Sequence, residues 1–375
     1  MRVPYAWNNT FHNKKRTFSA VAGIAFSVLL IFMQVGFLET GKRGSTLLYQ
    51  YLDFDLIMTS DKYEFLTSSG SFDKARLIQA MVVPGVKDVM PLNIEDGEWK
   101  DPETEITSGV ILIGIEPNPS FIRNAGVKSN LDTITKTRTV MLDTLSTEEY
   151  GPLAKNSEAK INDVDITVSS LFTMGMRFYN DGAVFVNNQT FQNLVRRDAR
   201  LVNFGLIKVA PGADIAAIKR NLKENLPDDV LIFDRQKLIT NEQDYFIYVL
   251  PVGIMFQVGV IIAFIIGSVI LFQVLITEIT NKLNEYATLK AMGFTTKNIY
   301  NIGFTQAFLF AFMGYMPALA ITIGIFHFLR IKAKLPAEFT FGLAAFVFFI
   351  TLVMCIIPGF LALQKVRKAD PAELF

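Results

Sequence analysis

The chain has 375 residues, of which 51% are hydrophobic and only 19% are charged. Soluble domains carry about 25% charged residues, so this composition, with a mean hydropathy of +0.33, excludes a disordered chain and a nucleic-acid-binding domain. The single cysteine, Cys355, excludes an internal disulfide and a cysteine-based zinc site, and two histidines argue against a histidine-rich metal site. We therefore expect a membrane protein that binds no metal or other cofactor and no nucleic acid.

Four apolar stretches are long enough to cross a bilayer, which takes about 20 predominantly apolar helical residues. Each contains at least 21 consecutive residues without Asp, Glu, Lys or Arg. We assign them to transmembrane helices at residues 18–38, 245–277, 298–329 and 339–364. The first stretch is longer than a signal-peptide core and lacks small residues at its exit, so we expect an uncleaved helix.

Charge is distributed unevenly between the segments that connect these stretches. Residues 39–244 carry 23 Lys/Arg and 30 Asp/Glu, whereas residues 1–17, 278–297 and 365–375 together carry 10 Lys/Arg and 4 Asp/Glu. Short basic segments stay in the cytoplasm and long domains are translocated largely regardless of charge. We expect both termini in the cytoplasm and residues 39–244 outside, although the short external loop 330–338 is itself basic.

The large segment 39–244 has the pattern of an α+β domain. Strands are predicted by short apolar runs rich in Val and Ile, and helices by apolar residues at helical spacing. The predicted strands lie at residues 54–58, 110–115, 165–168, 183–186 and 206–209, and the predicted helices at residues 72–83 and 215–226. Its length suggests two small subdomains. The predicted fold class is thus an α-helical membrane protein with four transmembrane helices and a large α+β extracytoplasmic domain inserted between the first and second.

The cytoplasmic loop 278–297 contains a predicted short helix. Ile279, Leu283, Tyr286 and Ala287 share one helical face, and Gly293 provides a C-terminal cap. A helix that docks another protein and a helix that lies at the membrane interface both fit this pattern. The N-terminal residues 1–17 likewise fit either an amphipathic interfacial segment or a simple basic anchor.

Motifs for chemistry are weak throughout the chain. Residues 36–43 nearly spell a phosphate-binding loop, but Arg43 replaces the Ser or Thr that holds magnesium, and the segment follows a membrane helix instead of a strand. We expect no ATPase site, and we find no catalytic constellation around His12 or His327. The spans contain no charge, which argues against a proton- or sodium-coupled transporter. Two small-residue pairs, Gly314/Ala318 and Ala320/Gly324, permit close helix packing or dimerisation.

This arrangement of one span, a large external domain and three further spans resembles the MacB/FtsX superfamily of ABC-transporter permeases. Within the superfamily it is most similar to DevC-type permeases, whose type member belongs to a heterocyst glycolipid exporter. The cytoplasmic loop resembles the superfamily pattern E-I-G-x-L-R-A-x-G and departs from it at Tyr286 and Ala287 in the DevC direction. The motifs that carry the resemblance lie at residues 22–26, 32–37, 150–152, 179–182, 285–293 and 370–373.

The resemblance implies a permease subunit of an ABC-type export complex in the cell inner membrane, with a lipid-like or other amphiphilic substrate. It implies a homodimer embedded in membrane lipid, a separate ABC ATPase subunit, a periplasmic adaptor protein and a TolC-like outer-membrane channel. The coupling loop that docks the ATPase would use Glu285, Tyr286, Ala287, Leu289, Lys290, Met292 and Gly293.

Two other functions share this topology. One is an FtsX-like signalling subunit that regulates envelope hydrolases, and the other is a lipoprotein-releasing permease. A membrane-bound enzyme is disfavoured because no catalytic constellation is present. The identity of a co-purifying partner distinguishes these functions.

Overall fold

A computed structural model describes residues 14–175, 180–281, 285, 295–332, 334–335 and 337–368. These residues form two compact units. The membrane unit contains residues 14–39, 251–332 and 337–368, and the sheet domain contains residues 40–250 with residues 334–335 of the short loop. The two units are described separately below.

Within the described residues, four helices are long and apolar enough to cross a membrane. The predicted architecture of four such helices with a large domain after the first is therefore confirmed. We name these helices TM1 (Lys14–Gly44), TM2 (Pro251–Asn281), TM3 (Thr296–Lys332) and TM4 (Phe341–Lys368).

The ends of these helices differ from the sequence prediction, and two ends differ most, by six residues each. TM1 continues six residues beyond Leu38, and its last turn carries Lys42 and Arg43, whose positive charges are favourable at a helix C-terminus. TM2 begins at Pro251 instead of residue 245. Proline suits the first helical position because its missing N–H has no partner there. The residues before it belong to a separate helix of the sheet domain.

Small residues allow close contact between helices of the membrane unit. A Cβ atom at Gly314 of TM3 would lie 2.5 Å from the Ile24 side chain and 3.3 Å from the Ala25 backbone nitrogen, both in TM1. The first small-residue pair therefore packs within the chain. Gly324, in the second pair, faces open space.

The sheet domain contains a nine-stranded mixed sheet, counted over the described residues, with the order β11-β1-β10-β3-β4-β8-β5-β7-β6. A separate two-stranded sheet pairs β2 with β9. The strands are β1 Leu56–Ser60, β2 Phe72–Asp73, β3 Val86–Lys100, β4 Thr107–Ile115, β5 Thr139–Asp143, β6 Glu158–Ile161, β7 Val164–Phe172, β8 Ala183–Asn187, β9 Leu201–Val202, β10 Phe204–Val209 and β11 Val230–Asp234.

Six α-helices of the described sheet domain connect or cover these strands. They are α1 Leu47–Tyr51, α2 Ala75–Met81, α3 Ala125–Lys128, α4 Asn188–Val195, α5 Ile215–Asn225 and α6 Arg235–Tyr248. The predicted helix at 215–226 is present as α5, and Asp214 caps it by accepting hydrogen bonds from the Ala216 and Ala217 amides. The predicted helix at 72–83 is shorter, because Phe72 and Asp73 form a strand and α2 follows.

The expectation of two subdomains is wrong, because one strand runs through both halves of the sheet. β3 is 15 residues long. It pairs with β10 at its start and with β4 and β6 towards its end. The long pairing of β3 with β4 joins the two halves into one continuous sheet.

Alternation along the strands divides the core between the faces of this sheet. In β1, Ile57 belongs to one hydrophobic cluster, while Leu56 and Met58 belong to another that also includes Leu77 of α2 and Leu222 of α5. A third cluster surrounds Trp99. Apolar clusters therefore cover both faces of β1, and all of its residues are buried.

Candidate functional site: the two ends of the second membrane helix

The predicted coupling loop is only sparsely described. Glu285 has helical conformation. The other loop residues assigned from sequence, which are Tyr286, Ala287, Leu289, Lys290, Met292 and Gly293, lie outside the described residues. The His12 and N-terminal predictions for residues 1–13 lie outside them as well. The role of the loop in coupling therefore stays a prediction.

A buried hydrogen bond joins the two membrane helices that flank this loop. Nε2 of Gln306 in TM3 donates to Oε1 of Glu278 in TM2 at 2.9 Å. Glu278 is 8% exposed and Gln306 is 2% exposed. The sequence prediction placed Glu278 in the loop, but TM2 continues to Asn281 and includes it. Because a buried polar group without a partner is costly, this bond favours a fixed contact between TM2 and TM3.

A second polar network lies within the sheet domain and involves α6, the helix that precedes TM2 in the chain. Helix α6 follows β11, and Asp234 caps it by accepting from the Lys237 amide at 2.8 Å. Along α6, Leu238, Glu242 and Phe246 form the buried stripe. Glu242 thus occupies a position in the helix where the spacing calls for an apolar residue, and it is 1% exposed.

Three donors surround the Glu242 carboxyl group. Oε1 accepts from the Tyr49 hydroxyl at 2.7 Å and from the Tyr63 hydroxyl at 2.6 Å. Oε2 accepts from the Leu66 backbone amide at 3.2 Å. Tyr49 lies in α1, and Tyr63 and Leu66 lie in the loop after β1. One side chain of α6 therefore holds two other segments of the sheet domain.

Arg235, in the first turn of α6, provides a second link to α1. Its guanidinium donates to the Tyr49 carbonyl at 2.6 Å and to the Leu52 carbonyl at 3.1 Å. It also lies 5.1 Å from the centre of the Phe54 ring, within range of a cation–π interaction. Tyr49 is therefore held through its backbone by Arg235 and through its side chain by Glu242. We call Tyr49, Tyr63, Arg235 and Glu242 the junction.

Burial changes the protonation behaviour of the junction. Loss of solvation raises the pKa of Glu242 to about 7, and the hydrogen bonds from Tyr63, Tyr49 and the Leu66 amide offset this only in part. Since the ordinary glutamate pKa is near 4.3, Glu242 changes charge near neutral pH. Sequence reasoning missed this residue, although a glutamate on the apolar stripe of a helix is a readable signal.

Comparison with models of known protein families shows which family the chain belongs to. Residues 17–225 match the profile of the MacB-like periplasmic core domain, and residues 257–371 match the profile of the FtsX-like permease C-terminal region. The chain belongs to the MacB/FtsX superfamily of permeases. It is thus a MacB/FtsX-like permease subunit of an ABC-type transporter, and the sheet domain is its MacB-like domain.

Two solved structures show a distant likeness to this permease. The periplasmic region of MacB from Actinobacillus actinomycetemcomitans is 9% identical, with coverage of 52% of this chain and 94% of that chain and a TM-score of 0.37. The extracellular domain of the noncanonic ABC-type transporter YknZ from Gram-positive bacteria is 13% identical, with coverage of 48% and 98% and a TM-score of 0.34. No curated protein sequence matches the chain.

Two of the four junction residues lie outside both family profiles, whereas Tyr49 and Tyr63 lie within the MacB-like match. Residues 226–256 of the permease lie between the matched regions. This interval contains β11, α6 and therefore Arg235 and Glu242. The family match thus identifies the permease without assigning a role to these two residues.

Proposed function

We propose that this permease has no ATPase site of its own and docks a separate ABC ATPase through the cytoplasmic loop at residues 285–293. The observation that best supports docking is the match of residues 257–371, which include this loop, to the FtsX-like permease C-terminal profile. The buried Gln306–Glu278 hydrogen bond in addition joins TM2 to TM3. These two helices are the ones that the loop connects. Movement of a docked loop would therefore act on both helices together.

The proposed role is export of a lipid-like or other amphiphilic substrate from the cell inner membrane. In this proposal the permease is a homodimer of the DevC type, and its MacB-like domain meets a periplasmic adaptor, with a TolC-like channel beyond. The family membership and the sequence motifs at residues 285–293 support this proposal.

Co-purification tests the proposed function. The full-length tagged permease is solubilised gently from its native membrane, and its partners are identified by mass spectrometry. We expect an ABC ATPase together with an adaptor. An envelope hydrolase instead of an adaptor would indicate FtsX-like signalling, a bound lipoprotein would indicate lipoprotein release, and recovery without any ATPase would contradict the proposal.

The proposal includes a membrane orientation, with both termini in the cytoplasm. Single cysteines are introduced at Ser129, Thr288 or Ala372 in a Cys355→Ser background and treated with a membrane-impermeant maleimide. Ser129 is exposed on the sheet domain, so we expect labelling of its cysteine in intact cells. The cysteines at 288 and 372 should react only after the membrane is opened. Labelling of position 129 only from the cytoplasmic side would reverse the topology.

A further inference from the structure

The junction lies within the sheet domain, and it includes residues of the two helices that are next to TM1 and TM2 in the chain. Two residues, Ser45 and Thr46, separate the end of TM1 from α1. Two others, Val249 and Leu250, separate α6 from the start of TM2. Helices α1 and α6 are therefore the covalent attachments of the sheet domain to TM1 and TM2.

We propose that Glu242 is a positioning residue that holds these two attachments together when its carboxyl group is neutral, and that ionisation of this group loosens them. Glu242 receives one hydrogen bond from α1 and two from the loop after β1, and these contacts join both segments to α6. Its side chain is buried, so an ionised carboxylate is costly at this position. That the junction transmits ATP-driven motion rests on the proposed function. The pH response of the junction does not.

In the closed form of the junction, Glu242 keeps its contacts with α1 and with the loop after β1, and in the open form these contacts are lost to water. The groups that face Glu242 explain why its ionisation weakens the closed form. The phenol of Tyr49 faces it from α1 and the phenol of Tyr63 faces it from the loop. On α6 itself, Arg235 directs its guanidinium at backbone carbonyls, and Tyr245 donates to Glu64 of the loop. Among the residues that the structure describes, these contacts give the ionised carboxylate hydrogen bonds but no close cation, and the side chain is 1% exposed. Opening to water therefore favours the ionised form.

The sign of the pH dependence follows from linkage. The closed junction holds its proton up to a pKa of about 7, whereas an open, solvated glutamate releases it near 4.3. Closing therefore takes up a proton between these two values. The closed form is most favoured at acidic pH and loses population as the pH rises through 7.

Hydrogen exchange of the full-length permease in lipid nanodiscs measures this opening. Peptides that cover residues 47–52 and 235–248 are followed from pH 5.5 to 8.5, and rates are corrected for intrinsic exchange. From the two pKa values we expect the opening equilibrium to increase about thirtyfold over this range. The Glu242→Gln variant should show a change of less than about twofold, because it carries no titratable group at this position.

Two further variants make the test specific. Glu64→Gln removes an exposed carboxyl group from the same loop. This variant should keep the wild-type slope, which is the dependence of the opening equilibrium on pH. Tyr49→Phe removes a donor that stabilises the ionised form, so the transition should move to higher pH. Glu242→Gln replaces the oxygen that accepts from the Leu66 amide, so the junction peptides of this variant should be less protected from exchange at every pH. The dependence of exchange on pH is therefore the informative quantity.

The proposal is overturned if Glu242→Gln retains the wild-type slope, or if the wild type shows no slope in a folded protein. The experiment uses the permease without an ATPase. A flat pH profile together with normal ATPase co-purification would therefore refute this inference and leave the proposed function standing. A thirtyfold change with pH but no ATPase recovery would support this inference and refute the proposed function.

Discussion

Arg235→Ala should lower the free energy of unfolding of the sheet domain by about 3 kcal/mol. The substitution removes two hydrogen bonds from a charged donor, each typically worth about 1.5–3 kcal/mol, and leaves the Tyr49 and Leu52 carbonyls without this partner. It also removes the contact with the Phe54 ring. The loss is offset in part because the wild type must remove water from the guanidinium when it folds, and the variant does not pay this cost.

Fluorescence of Trp99 measures this effect. Trp99 is 1% exposed within the sheet domain, and a Trp7→Phe background makes it the only tryptophan. Denaturant titration of the full-length protein then follows unfolding of this domain. Arg200→Ala is the matched control, since Arg200 pairs with Asp198 at the surface, and it should give no measurable change. If the denaturation midpoint of Arg235→Ala equals that of the wild type, the hydrogen bonds from Arg235 to the Tyr49 and Leu52 carbonyls do not stabilise the domain.

Glu285→Lys and Gly293→Val should each reduce recovery of the ATPase subunit at least about tenfold. If Glu285 is buried at the docking interface, reversing its charge costs about 2–5 kcal/mol, and each 1.4 kcal/mol is a tenfold change in affinity. Gly293 is the predicted helix cap, where a left-handed backbone is common and a β-branched residue is strained.

Quantitative pull-down from membranes with matched permease levels checks this prediction. Glu103→Lys makes the same charge reversal at an exposed position of the sheet domain and should leave ATPase recovery unchanged. Normal recovery with both loop variants would show that the loop is only a connector between TM2 and TM3.

The membrane helices were predictable from sequence because each is encoded locally. Runs of at least 21 uncharged residues identify them. Their ends were less predictable, because TM1 continues through Glu39, Lys42 and Arg43. Helix length there is set by the packing and capping of the last turns, which composition does not encode.

The continuous sheet was harder to predict. Strand β3 contains Pro91 and the Asp96-Gly97 pair, which are turn signals when they are read locally. Strand pairing overrides them, since Gly97 lies opposite Val110 and Asp96 lies opposite Ile111 of β4. Two subdomains were expected from the length of the segment, which carries no information about this pairing.

The junction was not predicted because its contacts are distant in sequence. Glu242 and Tyr49 are 193 positions apart, and Glu242 and Tyr63 are 179 positions apart. Periodicity within one segment carries no information about such partners. The charged group on the apolar stripe of α6 was the only local sign that a buried polar network lies there.

Hydrogen exchange in the assembled complex tests most directly whether ATP-driven motion reaches the junction. The permease with its bound ATPase is compared without nucleotide and with ATP trapped by vanadate, at one pH. We predict a change in exchange at residues 47–52 and 235–248 in the wild-type complex. We predict none in a parallel sample of the Glu285→Lys variant, which is expected to have lost most of its ATPase. Unchanged exchange at both segments, with the ATPase bound and trapped, would contradict transmission from the cytoplasmic loop to the sheet domain.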